Sequence, residues 1–152
     1  MYNISGFGLT GRITASSTFP NGFDLTAFAD DADPLDTPDL ELADTAMGLN
    51  GDLLVWSRPM GIEIIHNVIA GSEDDDNLAI LFEANRIGKG KTSARDIISE
   101  TLVYPNGLIA QLSQGVLTTG TALPSVVSAG RFKSRPYRFK FQNITKTQNP
   151  GA

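Results

Sequence analysis

The sequence contains no cysteine, which excludes a disulfide framework, a thiolate zinc site and a thiol nucleophile. It has one histidine, His66, too few for a His-rich metal site and a poor start for a His-based triad. No apolar run reaches the length of about 18 residues that a membrane span needs. No basic segment leads into a hydrophobic stretch near Met1, so neither a membrane anchor nor a secretory signal is expected, and the chain is expected to fold in the cytoplasm. Charged residues are sparse at 19%, and hydrophobic residues make up 41%. That composition belongs to a globular chain and not to a disordered one. With 152 residues, a single domain over residues 1–152 is expected. Fifteen glycines and eight prolines, among many Ser and Thr, favour short strands joined by turns over a helix bundle.

Charge is divided along the chain. Residues 1–85 hold 15 acids and only two bases, Arg12 and Arg58, whereas residues 86–152 hold ten bases and only two acids, Asp96 and Glu100. The densest acidic stretch is Asp30, Asp31, Asp33, Asp36, Asp39, Glu41 and Asp44; the densest basic one is Arg131, Lys133, Arg135, Arg138 and Lys140. Either block alone can be plain solvated surface. Together they allow an acidic face of one subunit to meet the basic face of the next, a head-to-tail contact that closes into rings or runs on as filaments.

Strand patterns dominate the pass along the chain. Residues 9–18 read as a strand and Asn21-Gly22 as a turn. Residues 30–39 carry two prolines and five aspartates, which excludes a central strand and predicts a loop. Two strands are expected at 40–46 and 51–57, then a buried β-branched strand in GIEIIHNVIA. Residues 72–87 form the one convincing helix: Ser72 can cap it, Glu73, Asp74, Asp75 and Asp76 suit the positive end of its dipole, Arg86 falls in its last turn and Gly88 can end it. Strands at 97–104 and 108–118 flank a Pro105-Asn106-Gly107 turn. In the last strand, Tyr137, Phe139 and Phe141 alternate with Arg138, Lys140 and Gln142, one face apolar and one charged. Residues 145–152 read as a flexible tail. The sum is mainly β, of α+β character: an antiparallel sandwich or barrel of six to eight strands with one flanking helix.

Several patterns imitate chemical motifs. Gly6-Phe7-Gly8-Leu9-Thr10-Gly11 fits G-x-G-x-x-G, but only five residues precede it and a β-type stretch follows, where a dinucleotide site needs a strand before and a helix after. Gly88-Lys89-Gly90-Lys91-Thr92 ends like a phosphate-binding loop, yet its first glycine would fall on Asn85, and it follows a helix instead of a strand. A mobile basic surface loop is the simpler reading. His66 shares a face with Ile62 and Ile64, the setting of a hydrogen-bonded core or interface histidine. Asp74-Asp75-Asp76 lacks the alternating ligands and glycine of a calcium loop. The basic and aromatic alternation at 137–141 could stack single-stranded nucleic acid, though an amphipathic strand with its aromatics in the core explains it better. No catalytic, cofactor or metal constellation emerges, and no enzyme is expected.

The order of DLLVWSRPMGIEIIHNVIAG, the helix DDDNLAILFEANRIG, the hairpin IISETLVYPNGLIAQLSQGVL and the closing strand SRPYRFKFQNI resembles the bacteriophage tail tube proteins over roughly residues 45–145. The resemblance implies a sandwich with a flanking helix, six subunits joining their sheets into a ring-wide barrel, and rings stacked into a hollow tube in the virion tail. It implies as partners further copies of the chain, a sheath if the tail contracts, and tape-measure, baseplate and tail-terminator proteins, with DNA passing an acidic lumen without specific binding. In that setting Asp30, Asp31, Asp33, Asp36, Asp39, Arg131, Lys133, Arg135 and Arg138 are expected at subunit interfaces. Two alternatives stand beside it: another tail or baseplate component of the same fold, or a monomeric β-barrel module binding a small ligand or single-stranded nucleic acid.

Overall fold

The structure, a computed structural model, describes Ile4 and residues 6–148. Its elements run β1 (Thr10–Ala15), β2 (Phe19–Leu25), β3 (Leu35–Asp36), β4 (Ala43–Met47), β5 (Leu53–Ser57), β6 (Ile62–Val68), α1 (Glu73–Asn85), β7 (Ile98–Val103), β8 (Leu108–Thr119) and β9 (Arg135–Gln148). Seven strands form one antiparallel sheet in the order β2-β1-β7-β8-β9-β6-β3, and β4 and β5 stand apart as a two-stranded ribbon. The mainly β fold with one helix is as expected, but the sheet is not closed by hydrogen bonds into a barrel.

Alternation along the strands builds the core. Ile13, Leu25, Ile64, Val68, Ile98, Leu102, Leu112, Tyr137, Phe139 and Phe141 point to one side, where Leu78 and Leu81 of α1 join them. The sheet curls around this core, helped by a bulge in β8. Ile98 pairs with Gly115 but Glu100 with Leu112, and Gln114 takes the left-handed conformation, φ 56°. A Cβ on Gly115 would lie 2.2 Å from the Phe141 ring, so only glycine lets β8 approach the core there.

Three local expectations are corrected. Asn21-Gly22 is no hairpin turn: Gly22, at φ 79°, lies inside β2, where the β1–β2 register shifts. Its positive φ serves a bulge. The chain from residue 145 is strand as far as Gln148, paired with β8; residues 149–152 of the expected tail lie outside the described residues. The helix is capped by Ser72 as read, its side chain accepting from the Asp75 amide. It stops at Asn85, however, and Arg86 is its C-cap, bonded to Glu83 on the surface. Lys91 of the glycine-lysine loop donates to the Glu83 and Arg86 carbonyls, closing the negative end of the helix.

Candidate functional site

The residues expected at subunit interfaces are held largely by partners within the same chain. Arg131 Nη2 donates to the Asp30 carboxylate at 3.1 Å, with both side chains at least half exposed. That hydrogen bond and the guanidinium charge hold the Asp30 carboxyl below its ordinary range. Ser134 donates to the Asp31 carboxylate, and Arg138 pairs with Glu63 at 3.2 Å. Arg135 is buried; it pairs with Asp75 at 3.2 Å, donates to the Thr121 carbonyl at 2.6 Å and stacks over Tyr137. Asp33, Asp36, Asp39 and Lys133 are exposed. Asp33 offers its carbonyl to Asn67 at 2.8 Å, and Asp36 sits opposite Ile65 in β3.

The helix-start acids do more than face the dipole. Asp74 and Asp75 are buried. Asp74 accepts from the Thr26 and Ala27 amides. Asp75 accepts from the Gly71 amide, Arg135 and the Tyr137 hydroxyl. Burial, with this last bond to a carboxylate, pushes the Tyr137 phenol well above its ordinary value. These contacts join α1 to β2 and β9, so they are structural. His66 is buried and bonded, as its place on an apolar face suggested. Among the described residues, no group of three or more His, Cys, Asp or Glu side chains could hold a metal ion. No helix there is long and apolar enough to cross a membrane.

The conspicuous surface is the β4–β5 ribbon. Its register runs from Ala43 opposite Ser57 to Met47 opposite Leu53, closed by a turn in which Gly51 takes φ 89°. At its base Arg58 donates to Glu41 and Asp44 at 3.0 and 3.4 Å. Every residue of β5 is exposed, with Leu53 63%, Val55 65% and Trp56 51% accessible, and Leu49 at the tip is wholly so. Leu54 and Val55 point to opposite sides of a two-stranded ribbon, so both faces are apolar and the ribbon has no core of its own. Exposed apolar area on this scale marks an interaction surface. The run LLVW is its only sequence signal: four apolar residues in succession, where a half-buried strand would alternate.

The main sheet also has open margins. β2 is its outermost strand on one side, and Asn143–Gln148 of β9 pairs with β8 alone, because β6 meets β9 only as far as Phe141. Unpaired strand margins are templates for further pairing.

Known proteins place this arrangement. Three solved structures share the fold: the baseplate of the anti-feeding prophage (TM-score 0.59, 10% identity, 97% of each chain covered), its tube-terminating cap (0.58, 12%, 98% of this chain and 93% of that one), and the sheath-tube complex of an extracellular contractile injection system in its extended state (0.58, 9%, 97% and 93%). No curated protein matches the sequence itself. The family described as tail fiber protein gp32 matches residues 2–145. The chain therefore belongs to the tail fiber protein gp32 family and is a structural component of a phage-like tail.

Proposed function

We propose that the chain is a tail tube subunit, a non-enzymatic protein whose copies join into rings that stack into a hollow conduit for the genome. The observation that carries this reading is the β4–β5 ribbon, apolar on both faces and uncovered in the single chain. A second copy covers it in the assembly. The open margins of the sheet give neighbouring copies a place to continue the β ladder, which removes each chain's exposed edges. Further tail parts, a sheath among them, would bind the outside and the ends. The acidic N-terminal half suits a wall past which DNA slides, because like charge denies phosphates the gain of counterion release. Asp33, Asp36, Asp39 and Lys133, the expected contact residues whose side chains have no partner among the described residues, remain candidates for pairing between copies.

The likenesses to a baseplate and a cap favour one alternative, a ring formed once at the end of a tube instead of a repeating layer. Negative-stain electron microscopy of concentrated protein separates the two. Stacked rings or tubes of indefinite length are expected, and single rings that never stack would favour the alternative. A Leu54→Asp/Trp56→Asp variant should remain a folded, monodisperse monomer. Normal tubes from that variant would sink the assignment of the ribbon to a subunit contact.

A further inference from the structure

The segment that follows β2 runs as a strap along the outer edge of β6. The Ile69 amide donates to the Ala27 carbonyl and the Ala29 amide to the Asn67 carbonyl, both at 3.0 Å, Phe28 bridges to Val68, and Leu35 and Asp36 pair with His66 and Ile65. Beneath the strap lies His66, fully buried. Its Nδ1 is 3.2 Å from the Pro34 carbonyl oxygen and its Nε2 is 2.6 Å from Glu100 Oε1. Glu100 sits on β7, three places from β6 in the sheet order, so this contact crosses the core and exists only because the sheet curls.

A carbonyl and an ionised carboxylate only accept hydrogen bonds, whereas a neutral imidazole carries one N–H. Both nitrogens meet such oxygens, so the pair holds one proton more than a neutral imidazole beside a carboxylate would. That proton lies between Nε2 and Oε1, since Glu100 Oε2 has no partner. We infer that this shared proton fastens the strap of residues 27–36 to the edge of β6, and that its loss releases the strap. This goes beyond the tube reading and does not rest on it.

Without the proton the imidazole keeps one N–H for two acceptors: on Nδ1 it leaves the Nε2 lone pair against the Glu100 carboxylate, and on Nε2 it leaves the Nδ1 lone pair against the Pro34 carbonyl, so the strap keeps its hydrogen bond only by stranding a buried charge. Little else could compensate. Phe28 stacks on the imidazole and Phe139 meets it edge-on, each at 6.1 Å, and neither carries charge. The Tyr104 phenol is pushed up by burial and by the Glu100 charge, so it stays neutral. Asp33 and Asp36 of the strap are exposed, and no other cation pairs with Glu100 among the described residues. β7, β8 and β9 each have strands on both sides; the strap is held by two ladder pairs, a few loop bonds and side-chain bonds with Asp74, Asn67, Arg131 and Ser134, so it gives way first. Burial alone would lower the His66 pKa, but the Glu100 charge and hydrogen bond, with the Pro34 carbonyl, leave it raised above 6.5. The latch is therefore complete below pH 6.5 and is lost as pH rises through the raised value.

The test is hydrogen exchange on the full-length chain in dilute solution, read by mass spectrometry as protection relative to the intrinsic rate at each pH. Peptides covering 27–36 should lose protection at least about tenfold through an alkaline transition, while peptides from β1 and β7 keep theirs. In Glu100→Gln the side-chain amide can donate to Nε2, and a neutral imidazole still donates Nδ1–H to Pro34, so the strap should stay closed at every pH. In His66→Phe/Glu100→Leu, which leaves no buried charge, it should be open throughout with β1 and β7 still protected. The same alkaline loss in wild type and Glu100→Gln, or a closed strap in the double variant, overturns the inference. The ¹⁵N shifts of the wild-type imidazole decide independently of both variants: titration above 6.5 in step with the strap supports it, and titration below 6.5 refutes it.

Discussion

The seven-stranded sheet and the β4–β5 ribbon are built from the same kinds of residue and treat them in opposite ways. Tyr137, Phe139 and Phe141 alternate with polar neighbours, and the sheet buries all three to 1% or less. Leu53, Leu54, Val55 and Trp56 follow one another without a polar residue between them, and every one is exposed. A curled sheet has an inside, and period-2 alternation assigns each residue to it or to water. A two-stranded ribbon has no inside. The apolar residues of the sheet hold up the chain that carries them, whereas those of the ribbon await something outside it.

That contrast can be broken from the sheet side first. Phe139→Ala should cost about 3–5 kcal/mol of folding stability, the range for truncating a fully buried aromatic, measured by denaturant unfolding of the unassembled chain. Arg135→Met leaves Asp75 charged and buried without its cation and should cost about 3–5 kcal/mol in the same experiment, because breaking one side of a buried pair strands the other. Asp96 accepts from the Ser17 and Thr18 amides and from Asn85, joining the β1–β2 turn to the end of α1. Asp96→Ala should cost about 1–3 kcal/mol by leaving those donors unmet. Burial works against the Asp96 carboxylate, but these hydrogen bonds prevail and hold its pKa below 3.8. Its contribution is therefore present above 3.8 and disappears as pH falls through the lowered value; acid unfolding followed by circular dichroism should show that loss in wild type and not in Asp96→Asn. At the small end, Val55→Thr in the ribbon should change monomer unfolding by less than about 0.5 kcal/mol while weakening assembly in sedimentation. A large loss of monomer stability there would mean that the ribbon packs on its own chain after all.

Much of the sheet was legible because its signals are local. The alternation at 137–141, the Pro105-Asn106-Gly107 turn and the Ser72 cap each declare an element within a few residues, and all appear where expected. What escaped was contact between distant parts of the chain. Asp74 and Asp75 read as helix-start acids, yet their partners lie at Thr26, Ala27, Arg135 and Tyr137, which only the fold brings near. Arg131 and Asp30 are 101 positions apart and pair within one chain. Opposite charges in sequence say that a pair is possible and not whether it forms within a chain or between two. The ribbon was readable as two strands, but its exposure follows from the absence, among the described residues, of a third strand or a helix beside it.

The ribbon also carries more acid than base: Glu41 and Asp44 share one cation, Arg58, at its base, and Asp52 lies in its turn. If a neighbouring copy covers the ribbon, as proposed above, it approaches through that negative field, which at physiological ionic strength reaches only about 8 Å. Added salt should then ease contact at the ribbon while weakening any ion pair formed between copies.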